Sequence, residues 1–279
     1  MAAATDLLVD PGWLEDHLGQ PCVAIADCRY DADLEKAHSL YLSGHIPGAV
    51  HVYWPRDLSL GTDPVPFLLP TPAQAAAILG RLGIGNETLV VGYDQEGDHF
   101  AARLWLLLSY LGNDRFRLLE GGIQKWIAEG RPVAHDDVVP TPIHYAAASS
   151  TSAIRVTKDE LRRRLGEPGL VLADVRRESE FLGAEARAAR GGRIPGARHV
   201  FWQDNLRADW SLKTPEEIRV RHEAAGIRPD QEVITYCQAV VRAAHTALAL
   251  RLAGYPNVRV YDGSWAEWGA DPDLPIEVG

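Results

Sequence analysis

One pattern constrains this chain more than any other: the same short motifs occur twice, in the same order, along its 279 residues. Asp27 of the first copy corresponds to Asp174 of the second, at an offset of 147 residues. Four further pairs follow at offsets of 142 to 148 residues: His45-Ile-Pro-Gly-Ala49 with Arg193-Ile-Pro-Gly-Ala197, Thr71-Pro-Ala-Gln74 with Thr214-Pro-Glu-Glu217, Val90-Val-Gly-Tyr93 with Val233-Ile-Thr-Tyr236, and Glu120-Gly-Gly122 with Asp262-Gly-Ser264. Five ordered matches with so little drift indicate a tandem duplication.

The duplication predicts two domains, which agrees with a length of about 150 residues per domain. We expect the first domain over residues 1–140, a linker over residues 141–152 and the second domain over residues 153–279. The linker lies in a stretch rich in Pro, Ala, Ser and Thr, which is typical of a connection between domains. Each half is long enough to bury a core, and three cysteines do not make a disulfide framework.

Charge and hydropathy exclude several classes of function. The net charge is -10, which argues against a surface for nucleic acid or for an anionic membrane. No apolar run approaches the roughly 20 residues of a membrane span, and the first residues lack the pattern of a secretory signal. The sequence therefore predicts a soluble, cytoplasmic protein with reduced thiols.

Each half alternates between strand and helix patterns. In the second half, short apolar runs end at Asp174, Tyr236 and Tyr261, as expected of buried strands. Helix starts are marked by Thr157 and Thr214, each of which has Glu three residues later. Strands that alternate with helices predict an α/β fold, in which each half is a parallel sheet flanked by helices.

The strongest candidate for a reactive group is Cys237, which follows a predicted strand directly. Open α/β sheets bind ligands beyond the carboxyl ends of their strands. In Tyr236-Cys237-Gln-Ala-Val-Val-Arg242, the loop amides can form an anion-binding nest, the next helix adds its positive end, and Arg242 adds a full charge. All three favour a nucleophilic thiolate. On spacing alone, a buried structural cysteine remains an equal alternative.

The first half differs at this place. Its strand ends in Gly92-Tyr93-Asp94, so an aspartate stands where the second half has cysteine. The loop that follows is one residue longer, and Phe100 falls opposite Arg242. This asymmetry predicts one active copy and one catalytically silent copy.

These motifs together resemble the two-domain rhodanese family, which comprises thiosulfate sulfurtransferases and their relatives that use 3-mercaptopyruvate. The resemblance covers nearly the whole chain and rests on motifs that occur in both halves, apart from the cysteine loop. They are Asp27-Cys-Arg29 and Asp174-Val-Arg176, the turns Gly44-His-Ile-Pro-Gly48 and Gly192-Arg-Ile-Pro-Gly196, the six-residue loop from Cys237 to Arg242, and the ending Asp262-Gly-Ser-Trp-Ala-Glu-Trp268. It implies two rhodanese-like domains, of which the first is silent.

The resemblance also implies an activity. Sulfane sulfur would pass from thiosulfate to cyanide or to a thiol acceptor, such as a thioredoxin-like protein, through a persulfide on Cys237. Neither a metal nor an organic cofactor is expected, because sulfur supplies the covalent chemistry. Arg242 at the loop end favours thiosulfate over 3-mercaptopyruvate, which remains a second possible donor. A Cys/Arg-loop phosphatase or arsenate reductase and a non-catalytic sulfur carrier are further hypotheses that fit the same loop.

Within this hypothesis, the substrate would be bound by the catalytic loop and by one further arginine. The loop residues are Gln238, Ala239, Val240, Val241 and Arg242. For the further arginine, Arg187 and Arg190 are equal candidates, because the alignment around them is uncertain. Asp174 and Arg176 are expected to form a structural ion pair near the site, and Trp265 is expected to lie near it as well.

Two residues depart from the family pattern. Val240 stands where relatives have glycine, and a β-branched side chain resists a positive φ. We therefore expect a distorted loop with one amide turned away, in which case Val240→Gly would raise the rate of sulfur transfer by about tenfold. Glu180 stands where relatives carry an arginine that helps to hold the anionic substrate.

Overall fold

The computed structural model describes residues 7–61, 65–147 and 153–279. The chain forms two compact units. The first comprises Met1–Leu60, Leu69–Ser152 and Ala208–Leu212, and the second comprises Gly61–Leu68, Ala153–Arg207 and Lys213–Gly279. Among the described residues, no helix combines the length and apolar character needed to cross a bilayer.

The first unit is built on a five-stranded sheet in which all strands are parallel. Its strands are β1 (Leu8–Val9), β2 (Val23–Asp27), β3 (Ala49–His51), β4 (Leu89–Tyr93) and β5 (Phe116–Leu119). Its helices are α1 (Pro11–Asp16), α2 (Leu34–Leu42), α3 (Trp54–Asp57), α4 (Pro72–Arg81), α5 (Ala101–Tyr110) and α6 (Gly122–Ala128). The strand order is β1-β5-β4-β2-β3.

The second unit repeats this arrangement, with the strand order β6-β10-β9-β7-β8. Its strands are β6 (Arg155–Val156), β7 (Leu170–Asp174), β8 (Arg198–His199), β9 (Glu232–Tyr236) and β10 (Val258–Tyr261). Its helices are α7 (Lys158–Arg164), α8 (Glu178–Phe181), α9 (Pro215–Ala224), α10 (Val241–Leu252) and α11 (Ser264–Trp268), with a short 3₁₀-helix at Trp202–Asn205. The predicted α/β fold and its duplication are confirmed.

Strand β9 lies in the middle of the second sheet, between β10 and β7. Both of its faces are covered. Its last four residues are therefore all buried, whereas a strand with one exposed face would alternate between buried and exposed residues. The core beside it includes the fully buried rings of Tyr236, Trp265 and Trp268. The next residue after β9 is Cys237, so the fold places the thiol at the carboxyl edge of a central, rigid strand.

A buried ion pair fixes the carboxyl end of β7 beside β9. Asp174 pairs in register with Tyr236, and its carboxylate accepts hydrogen bonds from Arg176 at 2.9 Å (Nε) and 2.6 Å (Nη2). The same Nη2 donates to the carbonyl of Gly192 at 2.6 Å, which ties down the turn that begins there. The guanidinium carbon lies 4.6 Å from the centre of the Trp265 ring. The ion pair thus joins a strand, a turn and a helix.

The first half of the predicted linker packs against the first unit. The amide of Ile143 donates to the carbonyl of Gly80 in α4 at 2.9 Å, and Asn86 exchanges two hydrogen bonds with the backbone of Ala146. Gly80 permits this approach, since a Cβ there would lie 2.5 Å from the carbonyl oxygen of Ile143. Residues 148–152 of the predicted linker lie outside the described residues.

Replacing Arg176 with alanine should lower the free energy of unfolding of the second unit by about 3–5 kcal/mol, because it leaves a buried carboxylate without its partner. Urea denaturation measures this loss. The matched control is Arg207→Ala, which removes an exposed ion pair with Glu217 and should have no measurable effect. Equal effects of the two substitutions would contradict the role assigned to Arg176.

Candidate active site

The candidate nucleophile lies at the junction of β9 and α10. Cys237 follows the last residue of β9, and α10 begins at Val241 after a loop of only a few residues. The thiol-bearing residue is 1% exposed. All three cysteines are free, and Cys237 is the one that sits where a strand runs into the N-terminus of a helix.

The backbone of the loop is held at its start and open in its middle. The amide of Cys237 donates to Oγ of Ser264 at 3.2 Å, and the carbonyl of Cys237 accepts the amide of Trp265 at 2.9 Å. Among the described residues, no group accepts from the amides of residues 238–240. Three neighbouring amides without an acceptor, next to a helix N-terminus, form a nest suited to an anion.

Val241 does not contribute an amide to this nest, although the sequence predicted that it would bind substrate. Its N–H donates to the carbonyl of Ala239 at 2.8 Å. Trp265 is fully buried, in agreement with a structural place near the site: its amide holds the Cys237 carbonyl and its indole N–H donates to the carbonyl of Arg190 at 3.0 Å.

Val240 does not avoid the positive φ that its β-branched side chain was expected to resist. Val240 adopts φ 63° and ψ -26°, which is the left-handed conformation that glycine would take. Its side chain is fully buried, so packing of the isopropyl group offsets part of the backbone strain. The loop therefore carries the strain at Val240, and among its amides that of Val241 is turned to the carbonyl of Ala239.

Arg242 lies at the start of α10 and pairs with Glu180 of α8. Its two terminal nitrogens donate to the Glu180 carboxylate at 3.0 and 3.4 Å, and the carboxylate is buried. Burial opposes the charge on Arg242, but the neighbouring Cys237 and the Glu180 carboxylate outweigh it and raise the pKa of Arg242. Likewise, burial opposes the charge on Glu180, but hydrogen bonds from Arg242 keep the pKa of Glu180 below its usual value.

Glu180 therefore has a definite role, which the sequence left open. It supplies a buried negative charge that orients Arg242 and opposes its positive charge. The anion-binding capacity of the loop then depends chiefly on the amides of residues 238–240.

The two arginines proposed as equal candidates for a substrate contact behave differently. Arg190 donates to four backbone carbonyls near the end of the chain: those of Gly269, Leu274, Trp268 and Asp271. Its guanidinium is committed to holding the segment after α11. The guanidinium of Arg187 is exposed and makes no hydrogen bond or ion pair with any residue in the described part of the chain.

The first unit fills the corresponding nest with its own side chain. Oδ1 of Asp94 accepts the amides of Glu96 and Asp98 at 2.7 and 2.9 Å. Oδ2 accepts those of Phe100 and Ala101 at 2.8 and 3.3 Å. In the first unit the loop amides therefore bind a carboxylate that is covalently part of the protein.

A second carboxyl, that of Asp98, also binds an amide of this loop. Its carboxylate accepts the amide of Asp94 at 3.2 Å. Burial raises the pKa of Asp94 even though four amides oppose it, and for Asp98 burial and the charge of Asp94 act together to raise the pKa well above its usual value. The two raised pKa values indicate that this loop disfavours two negative charges at once.

The other two cysteines are not placed for the same chemistry. Cys28 is fully buried directly after β2. Its burial, and after that the negative charge of Asp94, raise the pKa of its thiol well above the usual value. Cys22 is exposed and directly precedes the first residue of β2, at the opposite end of that strand from the carboxyl edge of the sheet. In the described part of the chain, no three His, Cys, Asp or Glu side chains are grouped so as to hold a metal ion.

Sequence reasoning missed Ser264, which holds the Cys237 amide. Ser264 has φ 50° and corresponds to Gly122 of the first copy, which has φ 56°. The signal was present in the repeat, since a serine replaces a glycine where the backbone requires a positive φ. Such a replacement at a strained position indicates that the hydroxyl has a specific partner.

Comparison with known proteins places the chain in a family. The family model of the rhodanese-like domain matches residues 10–129 and 157–271. The chain is 36% identical to thiosulfate sulfurtransferase of Azotobacter vinelandii, over 99% of this chain and 98% of the relative. It is 34% identical to the sulfur carrier protein TtuD of Thermus thermophilus, over the same shares.

Among solved structures, it is similar to the anaerobic ergothioneine biosynthesis enzyme of Chlorobium limicola in complex with trimethyl histidine. The TM-score is 0.87 at 27% identity, and the match covers 98% of this chain and 70% of that one. Another structure, of an EanB variant in which ergothioneine is covalently linked with a cysteine persulfide, matches with a TM-score of 0.87 at 26% identity, over the same shares of both chains.

Strain at Val240 predicts that glycine is a less destabilising replacement there than alanine. Val240→Gly relieves the positive φ while Val240→Ala keeps it, so the glycine variant should be the more stable of the two by about 1 kcal/mol. Both should be less stable than the parent protein, because a buried isopropyl group is lost. Urea denaturation ranks them, and a more stable alanine variant would contradict the strain.

The same geometry reverses the expectation for the rate. Since Val240 already has the positive φ that glycine would permit, Val240→Gly should transfer sulfur at a rate within about twofold of the parent. A tenfold increase would show that the parent loop does hold an amide away from the site.

Glu180→Gln should remove a pH-dependent part of the stability. The lowered pKa of Glu180 stabilises the fold fully above the ordinary value of 4.5, and this contribution is lost as the pH falls through the lowered value. The free energy of unfolding of the parent should therefore exceed that of the variant most at pH 7, and this difference should shrink below pH 4.5. Urea denaturation between pH 3.5 and 7 measures it, with the exposed Glu216→Gln as control. A difference that is constant over this range would contradict the ion pair.

Proposed function

This chain belongs to the rhodanese-like domain family, and we propose that it is a thiosulfate sulfurtransferase acting through a persulfide on Cys237. One feature of the molecule carries the proposal. Cys237 lies beside three amides that have no acceptor among the described residues, whereas the first unit fills the corresponding nest with the Asp94 carboxylate. The second unit thus combines a thiol with an open anion site, whereas the first unit has Asp94 at the corresponding position and an occupied nest.

In the first half-reaction, the Cys237 thiolate attacks the outer, sulfane sulfur of thiosulfate. A new S–S bond forms to Cys237, and the bond between the two sulfurs of thiosulfate breaks. Its electron pair leaves with sulfite. The amides of residues 238–240 stabilise the negative charge that remains on the persulfide sulfur, because they are fixed by the loop before the reaction begins.

In the second half-reaction, a nucleophilic acceptor attacks the outer sulfur of the persulfide. The acceptor gains that sulfur, the S–S bond to Cys237 breaks, and its electron pair returns to Cys237 as a thiolate. Cyanide gives thiocyanate in this way, and a thiol gives a persulfide. The Cys237 thiolate is regenerated, so the atoms and electrons of the cycle balance without a cofactor.

Two arginines have separate roles in this scheme. Arg242 is paired with Glu180 and sets the electrostatic environment of the thiol at close range. Arg187 is exposed, with a guanidinium that is not used elsewhere in the described part of the chain, and we assign to it the contact with the sulfonate oxygens of thiosulfate. The commitment of Arg190 to four carbonyls supports this choice between the two candidates.

A second function has specific support, namely that of a sulfur carrier. One relative at 34% identity is named a sulfur carrier protein, and the persulfide proposed here is the species that such a protein would deliver. A carrier would form the same Cys237 persulfide and pass it to a protein thiol. A thioredoxin-like acceptor in the reducing cytoplasm fits this use, because both partners need reduced thiols.

Two further activities differ from the proposed one in donor or in reaction. 3-Mercaptopyruvate would deliver its sulfur to the same thiol, so rates with both donors separate the two sulfurtransferase activities. Phosphatases and arsenate reductases with Cys/Arg loops surround a larger tetrahedral anion with a loop one residue longer. Release of phosphate from an aryl phosphate would point to that class.

Replacing Cys237 with serine should abolish sulfur transfer from thiosulfate to cyanide, because the persulfide can no longer form. Cys22→Ser and Cys28→Ser are the matched controls and should retain most of the rate. Thiocyanate formation measures all three. Substantial activity of Cys237→Ser would overturn the mechanism.

Intact mass separates the enzyme and carrier functions from an inert domain. After treatment with thiosulfate and removal of excess donor, the parent protein should gain the mass of one sulfur atom and Cys237→Ser should gain none. Subsequent cyanide should remove the added mass. A parent protein that gains no sulfur would contradict both proposed functions.

A further inference from the structure

We propose that the side chain of Gln238 is a positioning residue that sets donor specificity by holding the segment that carries Arg187 over the catalytic loop. This inference rests on the proposed function, because it concerns how the donor is bound. Nε2 of Gln238 donates to the carbonyl oxygen of Arg187 at 3.0 Å. The residue next to the nucleophile is thus joined directly to the residue that would hold the distal end of the donor.

The first copy of the repeat shows what a purely structural glutamine does at this place. Gln95 follows Asp94 as Gln238 follows Cys237. Both ends of its amide bind the backbone of Tyr30: Nε2 donates to the carbonyl at 2.7 Å, and Oε1 accepts the N–H at 3.2 Å. Both polar atoms of the Gln95 side chain are therefore satisfied by one uncharged residue at the same sheet edge.

Gln238 does not copy this arrangement. It donates to Arg187, and its buried Oε1 has no donor among the described residues. An unsatisfied buried acceptor is destabilising, so stability alone would favour the arrangement of Gln95. The orientation of the amide is fixed, because exchanging its ends would bring two oxygens together at the Arg187 carbonyl. The difference between the copies points to a requirement of the site rather than of the fold.

The segment held by Gln238 is a loop whose two ends, Gly183 and Gly191, lie next to each other. A Cβ on Gly191 would lie 2.7 Å from the carbonyl oxygen of Gly183, so the two ends of the loop are in close contact. The amide of Glu185 donates to the carbonyl of Ser179 at 2.9 Å. Arg190 fixes the far side through its four carbonyl partners.

Gln238 completes this set of anchors at the centre of the loop. The backbone of Arg187 is fixed while its guanidinium stays without a partner in the described part of the chain. Preorganisation of this kind lowers the entropic cost of binding an anion, because the arginine backbone does not have to be ordered by the ligand. Besides the packing of Ala188 against the core, the Gln238 hydrogen bond is the contact that holds the centre of this loop.

Steady-state kinetics tests this role, since kcat/KM for the donor and for the acceptor report separate half-reactions in a double-displacement scheme. Gln238→Met keeps the length of the side chain and removes the hydrogen bond. It should lower kcat/KM for thiosulfate by about five- to tenfold and leave kcat/KM for cyanide within twofold. Gln95→Met, in the silent unit, is the matched control and should change neither value.

A double-mutant cycle completes the test. In an Arg187→Ala background, Gln238→Met should have less than a twofold further effect on kcat/KM for thiosulfate, because the group that it positions is gone. An effect of Gln238→Met that is equal for donor and acceptor, or that is undiminished in the Arg187→Ala background, would overturn the inference. The mass gain of the parent protein with thiosulfate tests the proposed function separately, so failure of one is distinguishable from failure of the other.

Discussion

The buried ion pair between Asp174 and Arg176 is the interaction on which the geometry of the second unit depends. A carboxylate at the end of β7 would be costly to bury alone, and Arg176 removes that cost while it also donates to Gly192 and lies over Trp265. Trp265 in turn holds the carbonyl of Cys237. One guanidinium therefore connects the turn before β8, the helix α11 and the start of the catalytic loop. The first unit has the duplicate pair, in which Arg29 binds Asp27 and the carbonyl of Gly44, although its loop carries Asp94 in place of Cys237, and this favours a structural role for the interaction.

The fold could be predicted from the sequence because its signals are local and are repeated. Strands β7, β9 and β10 end where apolar runs meet Asp174, Tyr236 and Tyr261, and Thr214 caps α9 through the expected pairing with Glu217. The position of Cys237 followed from the same reasoning, since a residue at a strand end is defined by the strand. These features depend on neighbours in sequence, which are visible without coordinates.

The failures concern contacts between residues far apart in sequence. Val240 was expected to distort the loop, but burial of its side chain in the core holds the left-handed backbone in place. The partnership of Glu180 with Arg242 spans 62 residues, and no pattern along the chain indicates it. The choice between Arg187 and Arg190 likewise depends on carbonyls about 80 residues further along the chain. Side-chain charge and spacing identified candidates, and only packing distinguishes them.

The charge balance of the site explains why an additional anion contact is required. A full positive charge on Arg242 next to the thiolate would attract any anion, but Glu180 neutralises most of that charge at short range. The amide nest that remains binds one anionic atom at close range and makes little distinction between anions. A donor such as thiosulfate carries a second anionic group beyond its outer sulfur, and recognition of that group requires a cation at a fixed distance from Cys237. In the proposed mechanism Arg187 supplies the cation, and Gln238, through its bond to the Arg187 backbone, supplies the fixed distance. In this arrangement the reactive thiol and the specificity for the donor are separated onto two segments, which allows either to change without loss of the other.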